Sequence, residues 1–471
     1  VTRRAKIVCT LGPATASATR VRALADAGMD VARLNLSHGT EREHRELFAH
    51  VRRAAADSGR AVGILADLPG PKIRLGTFGG GSAVLAAGAE FVITTRPVEG
   101  SAAQASTSYA ALAGDVRPGD PVLIDDGRLA LEVLETDGHT VRTRIVRGGT
   151  VSDHKGINLP GVPISAPAMD DRNQELLRFA LSLGCDMVAM SFVRSPPDAA
   201  TARRVMRDAG REVPLIAKIE KPEAVDAIDA IVDAFDGLMV ARGDLGVEMP
   251  LERVPLTQKR AIQLARERAK PVIVATQMLD SMIGSPRPTR AEASDVANAV
   301  LDGADALMLS GETSVGEYPV ETVAVMARII EAAEAGGLDR LPPLATQPST
   351  TPDAIARAGT RVAHDIGALA LVSFTTSGAT VRRLASHRDA TPLLAFAYDE
   401  AVRNQLALVW GVETFVVPFR GHTDDMVTLV EESLTAMGRA KTGDRVVIVA
   451  GSPPGRRGTT NMIRVRRLGN P

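Results

Sequence analysis

Pro214–Glu220 (PLIAKIE) followed by Gly237–Gly246 (GLMVARGDLG) is the part of this chain that decides its fold. Each piece starts as a near-continuous apolar run and ends in charged residues or glycine. Runs of this kind are expected of parallel strands covered by helices, whereas a half-exposed strand would alternate. Residues two apart on a strand share a face, so Lys218 and Glu220 point the same way at the strand's carboxyl end. Asp244 follows the next strand, and Gly243 and Gly246 permit a tight turn and close backbone approach to a ligand.

Outward from this pair the same pattern recurs. Strand-like runs fall at Lys6–Leu11, Asp30–Leu36, Val62–Leu68, Met187–Val193, Pro271–Met278 and Ala306–Ser310, giving eight with the first two. Helix-period segments lie between most of them, at Ala18–Ala27, Gln174–Leu183, Ala199–Ala209, Leu256–Ala269 and Ala291–Leu301. Eight strands alternating with helices predict an α/β chain built on a (β/α)8 barrel, in which catalytic groups sit at the carboxyl ends of strands. Periodicity alone leaves an open doubly wound sheet as the alternative.

Three domains are expected. Residues 1–69 and 169–340 make the barrel. Residues 70–168, with Gly79-Gly80-Gly81, short alternating stretches and the turn pairs Pro118-Gly119 and Asp126-Gly127, read as an inserted small β-barrel domain placed to act as a lid. A Pro-, Ser- and Thr-rich linker from Leu341 to Pro352 leads to a C-terminal α/β domain over 350–471, with strand-like runs at Ala368–Phe374, Pro392–Ala397, Glu413–Pro418 and Arg445–Ala450.

A formal net charge of −1 in 471 residues argues against a general nucleic-acid binder. No apolar stretch approaches a membrane span, and the basic-then-apolar start VTRRAKIVCTLGP is too short and too interrupted for a signal peptide. Cys9 and Cys185 are far apart and lack metal-ligand spacing, as for reduced thiols in a cytoplasmic protein.

Polar groups gather after many different strands. Glu220 and Asp244 would give two hard oxygen ligands on adjacent strands, which suits Mg²⁺. Arg33, Asn35 and Ser37 alternate onto one face, and an arginine inside a barrel is costly unless it meets an anion. His38 and Arg74 follow the second and third strands, Thr276 and Gln277 end the seventh, and Ser310–Thr313 ends the eighth.

Together these residues resemble the pyruvate kinase family. The resemblance is carried by Lys6–Ala14 (KIVCTLGPA), Gly28–Thr40 (GMDVARLNLSHGT), Met239–Glu248 (MVARGDLGVE) and Ala275–Thr313, and it runs over essentially the whole chain. It implies the bacterial type without an extra C-terminal domain. It also implies the final step of glycolysis: phosphoryl transfer from phosphoenolpyruvate to ADP, giving pyruvate and ATP. By resemblance, Glu220 and Asp244 are the Mg²⁺ (or Mn²⁺) ligands and Lys218 is the catalytic lysine. Arg33 contacts the substrate phosphate, and Thr276 lies near the carbon that is protonated. The backbone of Gly243 and Asp244 seats the substrate carboxylate, and Asn35, His38 and Arg74 lie near the nucleotide. A cytoplasmic homotetramer is likewise implied.

The chain departs from the family at one loop. Many members hold K⁺ near Asn35, Ser37, Asp67 and the next residue, in a loop resembling Asp-Thr-Lys-Gly-Pro-Glu-Ile-Arg-Thr. Here it reads Asp67-Leu68-Pro69-Gly70-Pro71-Lys72-Ile73-Arg74-Leu75. Leu68 cannot coordinate a cation, and the Lys72 ammonium would replace K⁺ and repel it, so K⁺ is expected not to be required. Ser195 stands where many members carry lysine, near the nucleotide phosphates.

Thr375-Thr376-Ser377-Gly378-Ala379-Thr380 follows a strand and opens a helix, a ready anion site. The resemblance makes Thr375, Ser377, Gly378 and Thr380 the phosphate loop of an allosteric pocket for a phosphorylated metabolite. Gly458-Thr459-Thr460-Asn461 forms its second wall, and Arg456 and Arg457 add charge. Two other functions compete: a Mg²⁺-dependent pyruvate-enolate aldolase or lyase on the same barrel, and a non-catalytic phosphometabolite-binding protein.

Overall fold

The computed structural model describes residues 3–71, 73–456 and 458–469. Eight parallel strands close into a barrel: β1 (Lys6–Thr10), β2 (Val31–Asn35), β3 (Gly63–Leu68), β4 (Met187–Met190), β5 (Leu215–Ile219), β6 (Gly237–Ala241), β7 (Val272–Ala275) and β8 (Ala306–Leu309). The ladder runs in chain order and closes where β1 pairs with β8, which excludes the open sheet. Helices 18–27, 171–183, 198–208, 254–267 and 290–302 match the helix-period segments within a few residues.

The alternation of the strands sets what fills the barrel. Val8, Val31, Leu65, Ala189, Ile216, Met239, Ile273 and Met308 form one buried apolar layer. Two residues further along, on the same inward face, stand Thr10, Arg33, Asp67, Ser191 and Lys218. The barrel is therefore apolar in its middle and polar at its carboxyl end. Seven of the eight strands stop before their expected ends, β4 and β7 by three residues each. Arg242 is the first residue of a short helix over Arg242–Glu248 rather than the end of a strand, and Gly243 and Gly246 lie in that helix rather than in a turn. Thr276 and Gln277 lie past β7, and Ser37 lies in the turn after β2, so it does not continue the strand alternation.

The insert forms a curled six-stranded sheet and a two-stranded ribbon around its own apolar core, which includes Phe91, Ile93, Leu131 and Val141. It touches the barrel where Asn158 Nδ2 donates to Glu248 Oε1 at 2.9 Å, and Lys221 Nζ holds the same oxygen at 2.7 Å.

The C-terminal domain has five strands: β9 (Ala370–Thr375), β10 (Leu393–Ala397), β11 (Val412–Val416), β12 (Arg445–Gly451) and β13 (Thr460–Arg467), in the order β11-β10-β9-β12-β13. The antiparallel β13 was not among the expected strands; Arg464, Arg466 and Arg467 hid the apolar signal. This domain plugs the amino end of the barrel. Leu408 and Ala407 pack into the inner apolar layer, Lys6 Nζ donates to Val412 O at 2.8 Å, and Arg388 pairs with Asp305 at 2.8 Å. Cys9 and Cys185 are buried free thiols, and burial pushes Cys185 up to about 12.

Candidate active site

Period-two alternation carries the polar inward residues of neighbouring strands to one level at the barrel's open end. Lys218 Nζ lies 2.7 Å from Glu220 Oε1 and 3.5 Å from Asp67 Oδ1, and donates to Ser191 Oγ at 2.7 Å. Ser191 Oγ in turn donates to Leu68 O at 2.8 Å. Glu220 Oε2 accepts the Phe192 N–H at 2.9 Å. From the other side, Arg33 Nη2 meets Asp67 Oδ2 at 2.7 Å, and its Nη1 donates to Thr10 Oγ1 at 2.9 Å.

Asp67, Glu220 and Lys218 are buried, so their charges act through little water. Burial would lower Lys218, but Asp67, Glu220 and Asp244 outweigh it and hold the ammonium above the ordinary lysine value. Burial would raise Asp67, but Lys218 and Arg33 overcome it and keep its carboxyl below the usual range. Lys218 and Asp67 thus stay charged at neutral pH. Among the described residues no group of three or more His, Cys, Asp or Glu is arranged as a metal cage. A Mg²⁺ site needs fewer, because one or two carboxylates suffice when substrate and water complete the shell. Glu220 and Asp244 fit that need: both are hard oxygen donors, and both lie close enough to Lys218 to raise its pKa.

Thr276 sits at φ 69° and Gln277 at φ 54°, in the left-handed region that a β-branched residue such as threonine rarely enters. Arg242 holds this turn: its Nη2 donates to Thr276 O at 2.7 Å while Asp295 pairs with its Nη1 at 2.7 Å. The Gly243 N–H donates to Thr276 Oγ1 at 2.7 Å, which links the residue after β7 to the helix after β6. A Cβ on Gly243 would stand 3.3 Å from that hydroxyl, so glycine permits the approach.

On the insert side, Ser37, Gly70, Arg74, Tyr109, Arg172 and Asn173 help to line a cavity of 480 Å³ between barrel and insert. Asn35 Oδ1 accepts the Ser37 N–H at 3.2 Å, and the His38 carbonyl accepts from His44 Nε2 at 2.9 Å. Leu68 is buried and Asp67 is committed to Arg33 and Lys218. Lys72 lies outside the described residues.

In the C-terminal domain, the loop after β9 leads into a helix over Ala379–Ser386. Gly378 adopts φ 75°, and its N–H donates to Thr375 Oγ1 at 2.8 Å. Thr380 and Thr460 hydroxyls are 2.6 Å apart, so the loop and the expected second wall do meet. Thr375, Ser377 and Thr380 line a small cavity of 40 Å³ with Arg383, Arg456 and Thr459. Arg457 lies outside the described residues.

Two family models match the chain: the pyruvate kinase barrel domain over residues 2–323 and the pyruvate kinase alpha/beta domain over residues 353–466. This chain belongs to the pyruvate kinase family. It is 58% identical to the pyruvate kinase of Mycobacterium tuberculosis H37Rv over 469 residues, covering 100% of this chain and 99% of the other. It is 56% identical to that of Corynebacterium glutamicum, covering 99% and 98%. The crystal structure of a pyruvate kinase from Cryptosporidium parvum superposes with a TM-score of 0.92 at 34% identity, covering 99% of this chain and 96% of that one. Pyruvate kinases are transferases, and the family implies phosphoenolpyruvate and ADP as substrates and pyruvate and ATP as products. No helix among the described residues is long and apolar enough to cross a membrane.

The structure adds Ser191, Arg242 and Asp295 to the site, and it gives Asp67, which the resemblance put near a K⁺ site, a larger part. Asp67 is the hub of the cluster, Ser191 carries the Lys218 hydrogen bond, and Arg242 with Asp295 holds the Thr276 turn. Asp67 and Ser191 had a readable signal, each being a polar residue on the inward face of an otherwise apolar run. Asp295 had none, because it comes from a helix 53 positions after its partner.

Proposed function

We propose that this pyruvate kinase transfers the phosphoryl group at the carboxyl end of its barrel, with Glu220 and Asp244 holding Mg²⁺ (or Mn²⁺). The observation that carries this reading is the Lys218–Glu220 pair at 2.7 Å, with Asp244 close enough to act on the same ammonium. When bound, the divalent ion supplies positive charge opposite the substrate oxygens. Lys218 and Arg33 stabilise negative charge on the migrating group, and Lys218 also faces the enolate oxygen. The bond from phosphorus to that oxygen breaks as the bond to ADP forms. The enolate then takes a proton at carbon, on the side of Thr276. The backbone of Gly243 and Asp244 receives the substrate carboxylate, and Asn35, His38 and Arg74 face the nucleotide.

Potassium is not required in this reading. Leu68 offers no ligand, Asp67 is already neutralised by two cations, and Lys72 adds a further positive charge to the loop. The aldolase reading gains no support from the cavity between barrel and insert, which suits a nucleotide. The barrel comprises 1–69 and 169–340, the insert 70–168 is a lid, and 350–471 is a regulatory domain whose loop at Thr375, Ser377, Gly378 and Thr380 takes a phosphorylated effector. The enzyme is a cytoplasmic homotetramer, consistent with exposed Leu251 and Leu256 on the barrel surface.

The test is ADP-dependent pyruvate formation, coupled to lactate dehydrogenase, in buffer with only a bulky organic cation. Full activity with Mg²⁺ supports the reading, and strong stimulation by KCl defeats the potassium part. Lys218→Met should abolish turnover while substrates still bind. Retained turnover in that variant would remove the lysine from the mechanism.

A further inference from the structure

The turn after β7 holds two consecutive residues in a conformation that their side chains disfavour, Thr276 at φ 69° and Gln277 at φ 54°. A β-branched residue there is an outlier, and it persists only where its surroundings over-determine it. Arg242 and Asp295 supply that constraint, and neither belongs to the turn itself.

Arg242 opens the helix over Arg242–Glu248, directly after β6. Its guanidinium reaches two successive carbonyls at the end of β7: Nε donates to Ala275 O at 3.3 Å and Nη2 to Thr276 O at 2.7 Å. The third nitrogen, Nη1, lies 2.7 Å from Asp295 Oδ2 and donates to Gln258 Oε1 at 3.4 Å. Asp295 comes from the helix over Arg290–Asp302, which follows β7. The arginine side chain is 14% exposed, so little water competes for these bonds. A planar fork gripped on its far edge by a carboxylate has a set orientation, and so do the carbonyls on its near edge.

The grip extends to the Thr276 hydroxyl. Thr276 Oγ1 donates to Ala275 O at 2.6 Å, the carbonyl that Arg242 Nε also holds, and accepts the Gly243 N–H at 2.7 Å. Its proton and one of its lone pairs therefore have fixed directions. The Lys218–Asp67–Arg33 cluster is held by bonds of its own, to Ser191, Glu220 and Thr10.

We propose that Asp295, acting through Arg242, is a positioning residue for the protonation half of the reaction alone, an inference that rests on the reading of Thr276 as facing the carbon that takes the proton. In that step the double-bond electrons of the enolate form the new bond from carbon to hydrogen. The enolate oxygen becomes the ketone oxygen, and the proton is drawn from solvent. Asp295 keeps the Thr276 hydroxyl where it can guide that proton. Phosphoryl transfer depends on the Lys218 cluster and does not need Asp295.

The experiment follows the two halves separately in the full-length parent, Asp295→Asn and Thr276→Val. Proton transfer is read as exchange of the pyruvate methyl hydrogens with D2O, by NMR, in the presence of Mg²⁺ and ATP. Phosphoryl transfer is read by rapid quench, as ATP formed from phosphoenolpyruvate and ADP in a single turnover with enzyme in excess. The expected result is that Asp295→Asn slows exchange at least about tenfold and leaves ATP formation within about twofold of the parent. Intact ATP formation on the same sample also shows that the variant is folded. Parent-like exchange in Asp295→Asn, with slow exchange in Thr276→Val, overturns the role of Asp295 and leaves the reading of Thr276 standing. Parent-like exchange in Thr276→Val overturns both. Equal losses of exchange and ATP formation in Asp295→Asn also overturn the proposal, because the residue would then support the whole site.

Discussion

Arg33 and Lys218 reach the same buried carboxylate from two sides: Arg33 meets Asp67 Oδ2 at 2.7 Å, and Lys218 lies 3.5 Å from its Oδ1. One acid therefore sets the positions of two cations that face the substrate in the proposed mechanism. Without it, two like charges would share a low-dielectric site with only Glu220 and the more distant Asp244 to balance them.

Replacing Asp67 with Asn should accordingly lower both stability and turnover. Removing one partner of a buried ion pair costs about 3–5 kcal/mol, and kcat should fall at least about a hundredfold as Arg33 and Lys218 move apart. The sign with pH follows from the depressed Asp67 value. Its stabilisation is full above the unfolded carboxylate value near about 4 and is lost as pH falls through the lower folded value. Thermal melts from pH 7 downward should show this acid loss in the parent and less of it in Asp67→Asn.

One carboxylate oxygen of Glu248 ties the insert to the barrel, beside the bonds that Arg194 donates to the carbonyls of Ile164 and Ala166. Asn158 and Lys221 share Glu248 Oε1, while Glu248 Oε2 has no partner among the described residues. Hydrogen bonds to charged groups are worth about 1.5–3 kcal/mol. Asn158→Ala should therefore leave the melting temperature of the barrel nearly unchanged. It should raise amide exchange in the insert and increase KM for ADP several-fold. Unchanged exchange across residues 70–168 would show that this contact does not hold the lid.

His387 gives a pH effect of opposite origin. Burial first, then Arg357 and Arg266, lower it to about 4 in the folded protein. The unfolded imidazole titrates near about 6.5, so between those values the unfolded state binds more protons and stability rises with pH. Going from pH 6.5 to 4 should cost up to about 3 kcal/mol through this group. His387→Gln should flatten the dependence of the melting temperature on pH over that window. Identical slopes would show that the ring is protonated in the fold.

How much was readable depended on sequence distance. All eight barrel strands were legible because each is a short apolar run, and the inward placement of Arg33, Lys218 and Glu220 followed from period two. The short helix at Arg242–Glu248 was not legible, since Gly243 and Gly246 favour a turn on propensity and tertiary contacts override them. The Asn158–Glu248 contact joins residues 90 positions apart on different domains, and no local pattern marks either one. The strand Thr460–Arg467 was missed because Arg464, Arg466 and Arg467 break up its short apolar run, and it is the pairing with β12 that makes it a strand.

The central claim is that Glu220 and Asp244 share one divalent ion beside Lys218. It is tested most directly by Mn²⁺ titration of the parent, Glu220→Gln and Asp244→Asn, with free Mn²⁺ read by electron paramagnetic resonance. The account predicts one tight site in the parent and at least a tenfold loss of affinity in each variant. Parent-like Mn²⁺ affinity in either variant would contradict it.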